Sequence, residues 1–252
     1  MSGRSKMNKR TIMIIASVIV AVVVVAAVSY VTLTKTGKEL PTSIEYVGGK
    51  YNVTLSFYEE LARYGAQIDY ADETGNHLEH YFEPQMRTGL DWIRNDTSEN
   101  TTFMCWWDYG HMIKGYAERN VIVRNPSHEW INMVAIARTD PSAIKEFDPN
   151  EKLVDVAKAL ATSNSSETSQ IMEKYGATYI VVHKDDSPSV GKAYWIYKVA
   201  GLDPTVYITS QNSTSIFSSA GMETMIAKLL DNRDAGFTLV YQDAVMKVYK
   251  KD

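Results

Sequence analysis

The sequence predicts a mixed α/β, helix-rich globular domain with short strands and a C-terminal β-hairpin, carried behind one N-terminal transmembrane helix. Three observations lead there. Residues 12–33 form one uncharged stretch dominated by Val, Ile and Ala. Beyond it, segments with apolar residues at helical spacing (150–161, 166–175) alternate with short β-rich runs (101–105, 120–124, 178–183). The chain then closes on two β-rich runs, 237–241 and 244–249, which bracket Gln242-Asp243 and read as a hairpin.

The N-terminal segment is justified by length and charge. As a helix, residues 12–33 span roughly 33 Å, enough to cross a hydrocarbon core of about 30 Å. Arg4, Lys6, Lys9 and Arg10 precede it with no acid among them, and Lys35 and Lys38 follow, partly offset by Glu39. The stronger basic cluster places the N-terminus inside and the body outside. A cleavable signal peptide would carry a shorter apolar core, about 7–15 residues, so a retained anchor is the better reading. The expected organisation is a basic cytoplasmic tail at 1–10, a transmembrane helix at 11–34, a linker at 35–50 and an extracytoplasmic globular domain at 51–252. The expected location is the cell membrane, single-pass. Asn-x-Ser/Thr tripeptides at Asn52, Asn95, Asn100, Asn164 and Asn212 agree with an outside body.

Within the body, Leu55, Tyr58, Leu61 and Ala62 share one helical face, so a helix is expected over 55–66. Residues 72–76 are a polar loop. A helix around 84–94 leads into the strand at 101–105, and 120–124 is a short buried strand. Pro126 opens another helix in the tolerated first-turn position. Over 150–161 the apolar stripe is Leu153, Val156, Ala157 and Leu160. The helix at 166–175 is expected to be capped by Ser166, with Gly176 just past its end.

Composition narrows the function. With 252 residues there is room for one or two domains and a sizeable core. A net charge of −4 shows no nucleic-acid bias. The single cysteine, Cys105, cannot form an internal disulfide and reads as a small buried strand residue. No CxxC or His-rich spacing suggests a zinc site. Asp108 and His111 have no activated serine or cysteine beside them in sequence, and His77 and His80 lack further metal-type ligands. Asp148, Asp155 and Lys158 fit a helix entry and a solvated face.

The most informative residues are Trp106-Trp107-Asp108-Tyr109-Gly110, at the end of the 101–105 strand. Gly110 is expected to let the chain turn. Two indoles give apolar walls, each with one N–H donor, and Asp108 gives acceptors only. Such a mouth suits a small group bearing a methyl and a hydroxyl, as a threonine side chain does. The bland alternative is an aromatic core cluster, which explains neither the acid nor its context.

This pentapeptide resembles the WWDYG signature of the oligosaccharyltransferase catalytic subunit family, and the chain looks like the C-terminal, extracytoplasmic domain of an archaeal member. Flanking residues 89–94, 111–115 and 173–182 extend the likeness, so that about 83–200 is covered. The resemblance implies that Trp106, Trp107 and Asp108 hold the Ser/Thr hydroxyl of an Asn-x-Ser/Thr acceptor. It also implies a second helical element of the form Asp-x-x-Lys-x-x-x-Ile or -Met, matched here by Lys192 and Ile196, which lie on one helix face at i,i+4. Ile196 is then expected to touch the threonine methyl, a contact of about 0.8 kcal/mol. The Asp position is Ser189, and Asp185 and Asp186 precede it as though 187–189 were inserted.

The family places its metal-binding acids and lipid-linked donor in a polytopic membrane half. No acid occurs in 12–33. The expectation is therefore an acceptor-recognition domain for protein N-glycosylation without cofactors of its own, and not by itself a complete transferase. A divalent metal and a lipid-linked oligosaccharide donor are expected only with a polytopic partner. The alternative is a non-catalytic, membrane-anchored peptide-binding or scaffold paralogue. Expected partners are the acceptor polypeptide, the membrane and a polytopic transferase subunit.

Overall fold

The computed structural model of the protein describes residues 41–58, 65–71, 75, 77–124 and 151–252. Its first elements are strands: β1 (Ser43–Gly48), β2 (Val53–Phe57), β3 (Ala66–Ala71) and β4 (His77–Phe82) form a four-stranded antiparallel meander in chain order. In β3, Ala66, Ile68 and Tyr70 are buried and the residues between them only partly so. A sheet with one covered face imposes that period of two.

Residues 43–48, read as linker, form β1. The helix expected over 55–66 is replaced at its start by β2 and at its end by β3, with 59–64 outside the described residues. The helical spacing of Leu55 and Tyr58 competed with the two-residue alternation of Val53, Leu55 and Phe57. The ladder uses the second pattern, burying Val53 and Leu55.

After β4, a 3-10 turn at Pro84–Met86 runs into α1 (Arg87–Asp96), where the sequence places a helix. Next come β5 (Thr102–Cys105), α2 (Trp107–Gly115) and β6 (Asn120–Val121), shorter than the 120–124 expected. α3 (Glu151–Ala161) buries the expected stripe of Leu153, Val156, Ala157 and Leu160, each contributing about 1.5–3 kcal/mol if large and apolar. α4 (Ser165–Lys174) starts one residue earlier than expected. Its cap is Asn164, not Ser166, and the Asn164 side chain accepts from the Ser166 N–H.

The chain continues through β7 (Ala177–His183), α5 (Lys192–Val199), α6 (Pro204–Tyr207), β8 (Ile208–Gln211) and β9 (Thr214–Phe217). It ends with α7 (Ser219–Met222), α8 (Met225–Leu230), β10 (Thr238–Gln242) and β11 (Met246–Lys250). β10 and β11 are the expected terminal hairpin.

The second sheet has the order β10-β11-β7-β5-β6, with β5 parallel to both β6 and β7. Its central strands are apolar without alternation: Phe103, Met104 and Cys105 in β5, and Ile180, Val181 and Val182 in β7, are all buried. Strands covered on both faces read this way. The two sheets are tied together by α2, whose Gly115 lies against β3. A Cβ at Gly115 would sit 2.6 Å from the Tyr70 ring.

The described residues from Thr42 to Asp252 form one compact unit of mixed α/β structure. Among the described residues no helix is long and apolar enough to cross a membrane. The apolar stretch 12–33, the helix expected from Pro126 and most of the 72–76 loop lie outside them.

Candidate functional site

Parallel pairing of β5 with β7 decides where the site stands. Cys105 lies opposite Val181, so both strands deliver their C-terminal residues to the same edge of the sheet. In open sheets that edge is where ligands bind. From β5 comes the pentapeptide, and from β7 comes His183-Lys184-Asp185-Asp186.

Trp106 leaves β5 in an extended conformation (φ −61°, ψ 144°) and caps α2, which begins at Trp107. The chain therefore enters a helix at the motif, and Gly110 is helical rather than a turn. Its lack of a side chain serves a close approach: a Cβ there would run into the Val123 carbonyl oxygen, so glycine lets α2 lie on 122–124. Trp106 is 1% exposed and belongs to the core, while Trp107 is only partly buried. Asp108 stands in the first turn of α2, where backbone N–H groups favour an anion.

α5 supplies the opposing charge. Lys192 Nζ lies 3.5 Å from Asp108 Oδ2, and both side chains are about a quarter exposed. The same Nζ donates to Tyr109 OH at 2.8 Å and sits over the Tyr109 ring, 4.4 Å from its centroid. Tyr109 OH in turn donates to Asp186 Oδ1 at 2.9 Å, and Asp186 Oδ2 accepts from the His183 N–H at 2.9 Å. Lys192 and Tyr109 are 83 residues apart in the chain, and Tyr109 and Asp186 are 77 apart.

The electrostatics follow from burial. Desolvation raises the Asp108 carboxyl, and the Lys192 ammonium pulls it back. Asp186 is fully buried, and desolvation pushes it up to about 7 against the opposing pull of Lys192 and two hydrogen bonds. Burial lowers His183 to about 4. Its Nδ1 accepts from the Asp185 N–H at 3.2 Å, which leaves the ring proton on Nε2. Burial also raises the Cys105 thiol far above the neutral range, so it has no thiolate with which to react.

Of the residues singled out by sequence, Asp108 and Lys192 meet at a partly open surface, and Trp107, next to Asp108 in the chain, is partly buried. Ile196 shares α5 with Lys192 but is fully buried with Ala193 and Tyr197. It presents no face to a side chain arriving from solvent. Ser189, the formal match to the family's acid, is bonded to Ser187 instead, and Asp186 is the acid that reaches the pentapeptide. Residues 187–191, turn-like in sequence, form a 3-10 turn at Pro188–Val190 that packs against β9, followed by Gly191 at φ +88°.

Sequence reasoning missed Tyr109 as the link between the two motifs. Its position inside the signature was the available signal. It also missed the stacking of His80 on His111, with ring centroids 3.5 Å apart; burial lowers His111 to about 2. Such a ring stays uncharged near neutrality, so it offers Asp108 no imidazolium partner. His77 pairs with Asp69. Among the described residues no group of three or more His, Cys, Asp or Glu is arranged to hold a metal ion.

No protein-family model matches the chain. In sequence it is similar to the dolichyl-diphosphooligosaccharide–protein glycosyltransferase subunit stt-3 of Caenorhabditis elegans, 27% identical over 156 residues, covering 57% of this chain and 18% of that protein. The corresponding subunit of Schizosaccharomyces pombe is 28% identical over 119 residues, 47% of this chain and 14% of that one. The chain thus spans less than a fifth of the length of these curated relatives. Among solved structures, it is similar to the C-terminal globular domain of an oligosaccharyltransferase from Archaeoglobus fulgidus, with a TM-score of 0.50 and 19% identity, covering 68% of this chain and 99% of that one. The described domain has that fold, and in sequence it resembles oligosaccharyltransferase subunits.

Proposed function

We propose that this domain recognises the acceptor Asn-x-Ser/Thr of protein N-glycosylation and grips its hydroxyl between Asp108 and Lys192, against Trp107. The observation that carries the reading is the 3.5 Å approach of Lys192 Nζ to Asp108 Oδ2 at a partly open surface. A hydroxyl is both donor and acceptor. It gives its proton to the carboxylate and accepts from the ammonium, and the neighbouring indole offers an apolar wall to the threonine methyl. Trp106 and Ile196 act from beneath: the first anchors the start of α2, the second anchors α5.

Sequence similarity to glycosyltransferase subunits and the fold of an oligosaccharyltransferase C-terminal domain support this assignment. The transfer step belongs to a polytopic membrane half, which supplies the divalent metal and the lipid-linked oligosaccharide. No step assigned to the described residues runs through a metal. The anchor at 11–34 would hold the domain on the outer face of the cell membrane beside that half.

The test is titration of the full chain in detergent with an Asn-x-Thr peptide and an Asn-x-Ala control. A short peptide offers little area and loses conformational freedom, so binding is weak. Loss of a hydroxyl between two charged groups costs about 1–3 kcal/mol, so the control is expected to bind roughly five- to 150-fold more weakly. Asp108→Ala is expected to bring the two peptides to the same affinity. Equal binding to the unaltered chain sinks the assignment. It would favour a second reading, a membrane-anchored scaffold, for which the burial of Trp106 and Ile196 already speaks.

A further inference from the structure

Asn-x-Ser/Thr tripeptides occur in the body of this chain at Asn52, Asn95, Asn100, Asn164 and Asn212, and the structure separates them sharply. Transfer needs a free acceptor amide and a hydroxyl two residues on that can be drawn into a recognition groove. Asn52 Oδ1 accepts from Tyr46 OH, and its Thr54 is clamped in β2 between Tyr46 of β1 and Asp69 of β3. Asn95 lies in α1, and its Thr97 is buried, donating to the Ile93 carbonyl and accepting from Arg119. Asn100 is exposed, but its Thr102 sits in β5, bonded into the ladder on both sides. Asn164 is the cap of α4, and its side-chain Oδ1 accepts from the Ser166 backbone N–H, which fixes the amide against the helix.

Asn212 combines an exposed, unbonded side-chain amide with an exposed, unbonded hydroxyl two residues on. Asn212 and Ser213 are the two-residue tip of the β8–β9 hairpin, and Asn212, Ser213 and Thr214 are all exposed. Their side chains make no hydrogen bond among the described residues. Thr214 pairs only with Gln211, because β8 and β9 form a sheet of two strands. Both tip residues have positive φ, 49° at Asn212 and 64° at Ser213. That conformation suits a two-residue hairpin turn but disfavours serine by roughly 1 kcal/mol. Two-stranded ribbons are marginal by themselves, so this tip opens locally at lower cost than strands or helices bound on both sides.

We infer that Asn212 is a glycan acceptor of the folded domain. The reaction is group transfer from an oligosaccharide joined to a lipid phosphate or diphosphate. A bond forms between Asn212 Nδ2 and the anomeric carbon, the bond from that carbon to the phosphate oxygen breaks, the lipid phosphate leaves with the electron pair, and the amide loses one proton to solvent. The inference rests on the outside placement of the body proposed above, and not on hydroxyl binding by the pentapeptide.

The experiment is glycopeptide mass spectrometry of the full chain purified from its own membranes, scoring all the sites. Asn212 is expected to be occupied in most molecules, and each of the other four in a minority. Asn212→Gly, which accepts φ +49° without strain, and Thr214→Ala are each expected to remove one glycan mass and leave the denaturation midpoint unchanged; Thr214→Ser is expected to retain the glycan. An empty Asn212 overturns the inference, whether or not other sites are filled, and so does a higher occupancy at any buried or capped site. The peptide titration is read separately, so failure here leaves it standing.

Discussion

Tyr109 holds two opposite charges at once: its hydroxyl proton goes to Asp186 and its oxygen accepts from Lys192. In the proposed site the tyrosine of the pentapeptide is thus a positioning residue, keeping Lys192 beside Asp108. Asp186 gives this link a dependence on pH. Its native value of about 7 lies above the ordinary 3.8, so the folded state holds the proton more tightly than the unfolded chain. That contribution to stability is present at low pH and is lost as pH rises through 7. His183, lowered to about 4, has the opposite slope between about 4 and 6.5, because there the unfolded chain binds the proton. Comparison with Asp186→Asn cancels the histidine. The stability of this variant relative to the parent is expected to improve from pH 5 to pH 8, by at most ~1.4 kcal/mol per pH unit, as measured by urea unfolding. A difference that stays flat across this range removes the buried acid from the account.

The junction of β5 with α2 explains the composition of the motif as an element. A strand buried on both faces must turn at once into a helix that lies on 122–124, and only glycine at 110 permits that approach. Alanine there gains about 0.5–1 kcal/mol of helical preference but meets a backbone carbonyl that cannot rotate away. Overpacking of this kind costs typically 1–3 kcal/mol and the clash wins. Gly110→Ala is therefore expected to lower stability by about 1–2 kcal/mol and to reduce the preference for Asn-x-Thr over Asn-x-Ala peptides. Elements whose pattern is local were legible in the sequence: the apolar run of β5, the stripe of α3, the final hairpin. The meander of β1–β4 was not, because Gly48-Gly49 reads as linker and Leu55 with Tyr58 imitates a helix. The approach of Lys192 to Asp108 was legible through the family resemblance. The link from Tyr109 to Asp186 was not, since it exists only once two distant strands pair in parallel, and no local pattern encodes that neighbour. The burial of Ile196 was hidden for the same reason: i,i+4 spacing gives a shared face, not what covers it.

At the scale of the whole molecule, the apolar stretch 12–33 with its basic flank sets a measurable expectation. Alkaline carbonate is expected to leave the full chain in the membrane pellet, and protease added outside intact cells is expected to remove the C-terminal body while an epitope on residues 1–10 survives. Release into the supernatant counts against the anchor. The pairing of β5 with β7 has a consequence in time as well as in space. Contacts between residues this far apart form late, because a long loop must close before any contact rewards it. On the ribosome, β7 does not exist until Ala177–His183 has been made, by which point Asn52, Asn95, Asn100 and Asn164 have already been synthesised. Under the proposed reading, a domain that recognises such tripeptides on growing chains is blind to these four in itself, and any glycan they carry is expected to depend on a copy completed earlier.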